Sequence, residues 1–359
     1  MTADRGPRAA AAPLSAREAL VHPGTLLAPD GRLVAPYDLE RAANAAPGYV
    51  AASHRPDILN AAHRPFRLDY ASLSTVHVIN GMGVALGDSV IGLTALAALR
   101  DRYPRLRFVL YRPAHAPAYV EALYRLAADA VAPSRSLPWP VAALPPGETR
   151  IDLGNHLYWP EFAVRPMIDF FLSALGAEPE SIPAEAKRNR WLGRLTLPAL
   201  PFAWRRRRYV LFCPDASTPL RSMPASQRAA LVGRLADVYG LPVLGFEPFY
   251  HPAYVDVSPY SGNTAQFIAW VKHASVLLCS DTSAAHLADA FDVPTLACFS
   301  SIAPALRVRD YPHCATLELD VPAALRNRHT GASPAELTEL EAAYRRMDWD
   351  AVVWPRARK

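Results

Sequence analysis

From Ser74 onward, short apolar runs alternate with longer amphipathic stretches, and no other feature of this chain constrains its fold as strongly. Val76–Asn80 reads as a strand, a glycine-rich turn follows, and Ser89–Tyr103 has helical periodicity. Pro104 then punctuates before a strand at Arg107–Tyr111. Helix Ala118–Ala127, a short strand near Ala130–Ala132, strand Arg150–Leu153 and helix Ala163–Leu175 continue the pattern. Such alternation implies a parallel sheet covered by helices on both faces. The texture changes over Glu178–Arg208, which is rich in proline and charge and ends in four consecutive arginines, Arg205–Arg208, as an interdomain connection would. A second unit follows: strands Tyr209–Cys213, Pro242–Phe246, Val276–Cys279 and Pro294–Phe299, and helices Pro224–Tyr239, Thr264–Ala274 and Ser283–Phe291. An amphipathic helix, Pro334–Met347, closes the chain.

The expected class is therefore α/β, with two Rossmann-like domains and a ligand cleft between them at the carboxyl ends of both sheets. Expected boundaries are an N-terminal extension over 1–74, a first Rossmann-like domain over 75–190 and a linker over 191–208. A second Rossmann-like domain covers 209–333, and 334–359 is a closing helix and tail that could return to the first domain. Within 1–74 helical periodicity is weak outside Ala16–Val21 and Leu39–Ala45, so a tail or loosely packed extension is expected.

A length of 359 residues supports two cores rather than one. With 51% hydrophobic and 20% charged residues, the composition is globular. No apolar run reaches the ~18 residues of a membrane helix. Met1–Pro13 lacks the apolar stretch of a secretory signal, so the expected location is cytoplasmic, with contact at the inner face of the inner membrane left open. A net charge of +5 suits acidic partners, but no basic helix, zinc spacing or RNA-reading aromatic motif points to nucleic acid. The four cysteines form no C-x-x-C pair; three lie in or at the ends of apolar runs that read as strands, and buried reduced thiols are expected rather than a metal site.

The chemistry concentrates at strand ends. At Asp281-Thr282-Ser283-Ala284-Ala285-His286 an apolar strand gives way to a helix that opens on small and hydroxyl side chains. Free amides and the dipole of such a helix end make an anion site, with Ser283 or Thr282 as a hydroxyl donor and His286 able to reach a phosphate or sugar oxygen. An ordinary capped helix containing a satisfied histidine would read the same way. The neighbouring strand ends in Pro214-Asp-Ala-Ser217-Thr218, followed by Arg221, which adds hydroxyls and a cation. Glu247 ends the next strand, where a carboxylate can accept ribose hydroxyls. Tyr260-Ser-Gly262-Asn-Thr264 is a further glycine turn into a helix. The set points to a nucleoside diphosphate.

In the first unit, Gly81, Gly83 and Gly87 precede Asp88. The third glycine comes one residue late for a dinucleotide fingerprint, and the second strand ends in Tyr111-Arg112 rather than an acidic residue. The loop can instead present Asp88 to the cleft, although aspartate at a helix start is also a common N-cap. Asp348-Trp-Asp350 matches a metal-holding D-x-D pattern but follows a helix near the end of the chain, and reads as a solvated turn.

Together these motifs resemble the bacterial heptosyltransferases, glycosyltransferase family 9. The carriers are Gly87-Asp88 before an apolar helix, Pro214–Ser217 with Arg221–Pro224, and Asp281–His286 with Pro294 and Phe299. The chain has Arg221 for the usual lysine, Met223 for tryptophan and Ser283 for glycine, and the resemblance spans Val76 to Leu319. It implies the GT-B fold, an ADP-heptose donor and inverting transfer with neither metal nor cofactor. By position it implies Asp88 as catalytic base, and Ser217, Thr218, Arg221 and the Asp281–His286 turn (Asp281, Thr282, Ser283, Ala284, Ala285, His286) around the diphosphate, with Glu247 on the ribose. The implied acceptor is the lipopolysaccharide core or another glycan, glycolipid or protein. Some relatives glycosylate adhesins and carry a cysteine-rich iron motif that this chain lacks. Two other readings share the fold: a sugar-nucleotide epimerase, and a non-catalytic protein that binds a nucleotide sugar or a partner.

Overall fold

A computed structural model describes residues 12–42 and 48–359. The end of the helix expected over Leu39–Ala45, and most of the tail expected over Met1–Pro13, lie outside the described residues. In chain order α1 (Ala16–Val21), β1 (Leu26–Leu27), β2 (Arg32–Val34), α2 (Pro36–Ala42) and β3 (Val50–Ala51) precede β4 (Thr75–Ile79). Next come α3 (Leu86–Arg102), β5 (Arg107–Arg112), α4 (Ala118–Ala127), β6 (Ser134–Ser136), β7 (Trp139–Pro140), β8 (Thr149–Asp152) and α5 (Met167–Ala174). The second half holds β9 (Val210–Cys213), α6 (Ala225–Tyr239), β10 (Val243–Gly245), β11 (Tyr254–Asp256), α7 (Thr264–His273) and β12 (Val276–Ser280). It ends with α8 (Ser283–Ala290), β13 (Thr295–Phe299), β14 (Cys314–Glu318) and α9 (Pro334–Arg346).

Two parallel sheets carry the fold, in orders β6-β5-β4-β8 and β11-β10-β9-β12-β13-β14. Strands β9, β12 and β13 are buried along their whole length, which is why they read as unbroken apolar runs. Strand order reverses between β4 and β8 and again between β9 and β12. Loops that leave the carboxyl ends of strands on opposite sides of such a point open a crevice for ligand. The strand expected near Ala130–Ala132 falls a little later, at Ser134–Ser136. The expected helix Ala163–Leu175 starts only at Met167, because Pro166 interrupts it.

Residues 12–42 and 48–74 do not form a tail. Strands β3-β1-β2-β7 make a small antiparallel sheet, and Leu33, Ala35 and Ala52 pack with Ile79 and Tyr111. The pin is Asp152, at the end of β8. Its buried carboxylate accepts hydrogen bonds from the Thr25 amide (2.8 Å), Thr25 Oγ1 (2.6 Å), Asn60 Nδ2 (3.0 Å) and the Gly154 amide (2.9 Å). Contacts this distant in sequence leave no local periodicity.

The connection is packed as well. Asn189 donates its amide to Asp289 of α8 (2.9 Å) and its Nδ2 to the His286 carbonyl (3.0 Å), and accepts from Thr94 Oγ1 of α3 (2.6 Å). Trp191 and Leu192 join an apolar core that runs unbroken from the first sheet to α7 and α8. Helix α9 packs on the second parallel sheet. Its Leu340, Ala343 and Tyr344 pack with Val210, Phe212 and Leu296, and Arg358 donates to the carbonyls of Ala274 (2.7 Å) and Phe291 (3.1 Å). Asp348 Oδ1 accepts from the Asp350 amide (3.0 Å), so the D-x-D segment is a turn. All four cysteines are free. Among the described residues no helix is long and apolar enough to cross a membrane.

Asp152→Ala removes one acceptor from four buried donors, each costly to leave unpaired. The expected loss is about 3 kcal/mol in urea unfolding, with protease cuts appearing first within residues 12–74.

Candidate active site

The first wall of the cleft is the loop after β4. Asn80, Met82 and Gly83 take left-handed backbone conformations (φ 50°, 68° and 73°), which fold the chain tightly before α3. A Cβ on Gly83 would stand 2.6 Å from His156 Cε1, so only glycine fits there. Arg112, fully buried at the end of β5, holds this loop by donating Nη1 to the carbonyls of Gly81 (2.7 Å) and Gly83 (3.0 Å). Its Nε pairs with Glu121 at 2.8 Å. The arginine that excluded a dinucleotide fingerprint is therefore the clamp on the loop.

Asp88 lies in the first turn of α3, where Ala85 occupies the N-cap, so Asp88 does not cap the helix. Its Oδ2 is 3.3 Å from Nε2 of His156 in the turn after β8. That ring is fixed edge-on against Phe162 and Phe171. Burial acts to raise the Asp88 pKa, but the hydrogen bond and charge of His156, with Arg307 and Arg221 beyond, outweigh it and hold the carboxyl below its ordinary value.

The second wall follows β9 and β12. Arg221 donates Nη1 to the buried Asp281 carboxylate (3.1 Å), Nε to Thr218 Oγ1 (3.3 Å) and Nη2 to Ser217 Oγ. Arg307 and His329 complete it, with Arg307 Nη2 3.2 Å from His329 Nδ1. Burial lowers the pKa of both, and His329, further opposed by Arg307 and Arg221, is pushed down to about 4. A cavity of about 270 Å³ brings Asp88 and His156 together with Ser217, Thr218, Arg221, Arg307 and His329.

Not every expected donor residue faces this cavity. Ala284, Ala285 and His286 are buried in the packing of α8 against α3, where Gly87 approaches so closely that a Cβ would lie 3.2 Å from His286 Cδ2. His286 Nδ1 is 3.0 Å from the Tyr311 hydroxyl, and burial drives its pKa to about 4. Thr282 is the N-cap residue of α8, and Ser283 begins the helix beside Gly87. Glu247 follows β10, away from the point of strand reversal, and pairs with Arg228 outside the cavity. His156, Arg307 and His329 were missed. His156 had a signal in its position just past a strand end, whereas Arg307 and His329 sit in segments without one.

No family profile and no curated protein sequence matches the chain. Among solved structures, E. coli ADP-heptose LPS heptosyltransferase II superposes with a TM-score of 0.51 at 15% identity, over 75% of this chain and 98% of its own. The chain has the GT-B fold. A family 9 glycosyltransferase from Veillonella parvula is similar at 14% identity over 71% of this chain and 87% of its own, with a TM-score of 0.44. E. coli heptosyltransferase WaaC with ADP is similar at 13% identity over 76% and 98%, with a TM-score of 0.39.

Within this GT-B fold His286, buried between α8 and α3, and His329, in the cleft, stay neutral to about pH 4. From pH 6.5 down to about 4 the unfolded chain takes up protons that these two rings refuse, so folding stability falls as pH falls through that window. Urea midpoints should drop across it, while the NMR shifts of both rings stay flat from pH 8 to about 5. A ring titrating near 6.5 would contradict the assigned burial.

Proposed function

We propose that this chain is an inverting, metal-independent glycosyltransferase that moves a sugar from an ADP-sugar of the ADP-heptose type to an acceptor hydroxyl. The observation that carries the reading is one ionised carboxylate, Asp88, facing Arg221 and Arg307 across the cavity. The fold shared with an ADP-heptose heptosyltransferase agrees with it.

In this mechanism the acceptor oxygen attacks the anomeric carbon while Asp88 takes its proton. The bond from that carbon to the diphosphate oxygen breaks with its electron pair, and negative charge grows on the leaving group. Arg221, oriented by Asp281, Ser217 and Thr218, meets that charge together with the α8 N-terminus beside Thr282 and Ser283. His156 keeps Asp88 turned toward the cavity. The acceptor is a glycan, glycolipid or protein hydroxyl. Neutral His329 and charged Arg307 close the anion side.

Asp88→Asn preserves shape but cannot accept the proton, so turnover should fall by about 10²–10⁴-fold. ADP affinity, read by calorimetry, and melting temperature should stay near wild type, because the diphosphate is held from the other domain. Wild-type turnover in the folded variant would remove Asp88 from the mechanism. ADP should raise the melting temperature more than UDP or GDP. Turnover should also persist in EDTA, since Arg221 and Arg307 supply the positive charge. Loss in chelator with recovery on adding manganese would overturn the metal-independent step.

A further inference from the structure

The N-terminal segment, outside the span that resembles any family, reaches the reacting carboxylate. Leu20 of α1 and Tyr37 and Glu40 of α2 line the same cavity as Asp88. Their placement is built rather than incidental. Asp38, buried on α2, accepts from the amides of Ala114 and His115 (2.9 Å each) in the loop after β5. Asn155, next to His156, donates Nδ2 to the carbonyls of Leu20 (3.2 Å) and His22 (2.9 Å). α1 and α2 are thus tied to the two loops that flank Asp88.

Charge divides sharply across this cavity. Its arginines, Arg221 and Arg307, both come from the second domain, where the leaving diphosphate belongs. On the Asp88 side the described lining carries two carboxylates, Asp88 and Glu40, and no lysine or arginine. Glu40 is exposed and forms no ion pair among the described residues. The other groups there are aliphatic, aromatic and amide side chains, with His156; Tyr37, Tyr158 and Asn80 supply ring faces and polar atoms. Aromatic faces, amides and a carboxylate match the C–H faces and hydroxyls of an uncharged sugar. On that side a phosphate or carboxylate on the acceptor would meet like charge and, among the described lining residues, no lysine or arginine.

We infer that α1 and α2 form the acceptor subsite and that it selects a neutral, polyhydroxylated acceptor over an anionic one. The inference rests on the transferase reading, but binding and turnover separate the two. The full chain is loaded with ADP and offered methyl mannoside and its 6-phosphate as probes, with binding read by saturation-transfer NMR. Transfer from ADP-heptose to each is measured in parallel. The neutral glycoside should bind and react better, on the order of tenfold at low ionic strength, and the gap should narrow as salt screens Glu40. Glu40→Gln should shrink the preference, and Tyr158→Ala should raise KM for the neutral glycoside more than it lowers kcat. Preference for the phosphorylated glycoside, a ratio unmoved by Glu40→Gln, or no binding of either glycoside overturns the subsite. Selective binding without any transfer supports the subsite and counts against the transferase reading instead.

Discussion

The fold turns on one fully buried asparagine. Asn189 lies in the segment that connects α5 to β9, and it bonds α3 through Thr94 and α8 through Asp289 and the His286 carbonyl. Arg188 Nε adds a bond to Asp289 (2.9 Å), and Trp191 Nε1 one to Thr94 (3.0 Å). Each bond contributes only about 1 kcal/mol net, but a buried donor left unpaired costs about 1–3 kcal/mol, so the set favours a single arrangement of the two helices. Those helices begin at the cleft. Asp88 stands in the first turn of one, and Thr282 and Ser283 open the other, so their separation is set at the buried junction and not in the cleft itself.

The same packing explains why part of the expected donor turn faces inward. Ala284, Ala285 and His286 are the small and planar side chains that let α8 lie close to Gly87. What reads as room for a phosphate is room for another helix. The positive charge on this wall comes from Arg221, with its Ser217, Thr218 and Asp281 partners, and from Arg307, which arrives from a segment beyond β13. Polarity across the cleft follows from domain origin: carboxylates from the first, guanidinium groups from the second.

Much of the scaffold was legible in the sequence because it is governed by local rules. Helix Ala118–Ala127 and most other elements of both parallel sheets fall within a few residues of their expected ends, since buried parallel strands leave unbroken apolar runs and amphipathic helices leave a period. Two edge strands escaped, β11 (Tyr254–Asp256) and β14 (Cys314–Glu318), being short or largely exposed and so without an apolar run. The antiparallel sheet β3-β1-β2-β7 escaped because its strands are two or three residues long, with β7 far along the chain and the segment pinned by the distant Asp152. Glu247 occupies the expected strand end, but that strand lies to one side of the reversal point.

What the sequence by itself determined is therefore the kind of element at nearly every position and the chemistry at each strand end: a carboxylate after β4, hydroxyls and a guanidinium after β9, a helix start with hydroxyl side chains after β12. Apolar pattern and turn chemistry act over a few residues and can be read over a few residues. Only the tertiary structure decided which strand ends meet, because strand order is set by crossovers that leave no local trace. It placed His156 on Asp88, turned His286 into the core, brought Arg307 and His329 to the cleft and folded the N-terminal segment over its Asp88 side. Each of those outcomes depends on burial and charge contributed by residues tens to hundreds of positions away, where local periodicity carries no information.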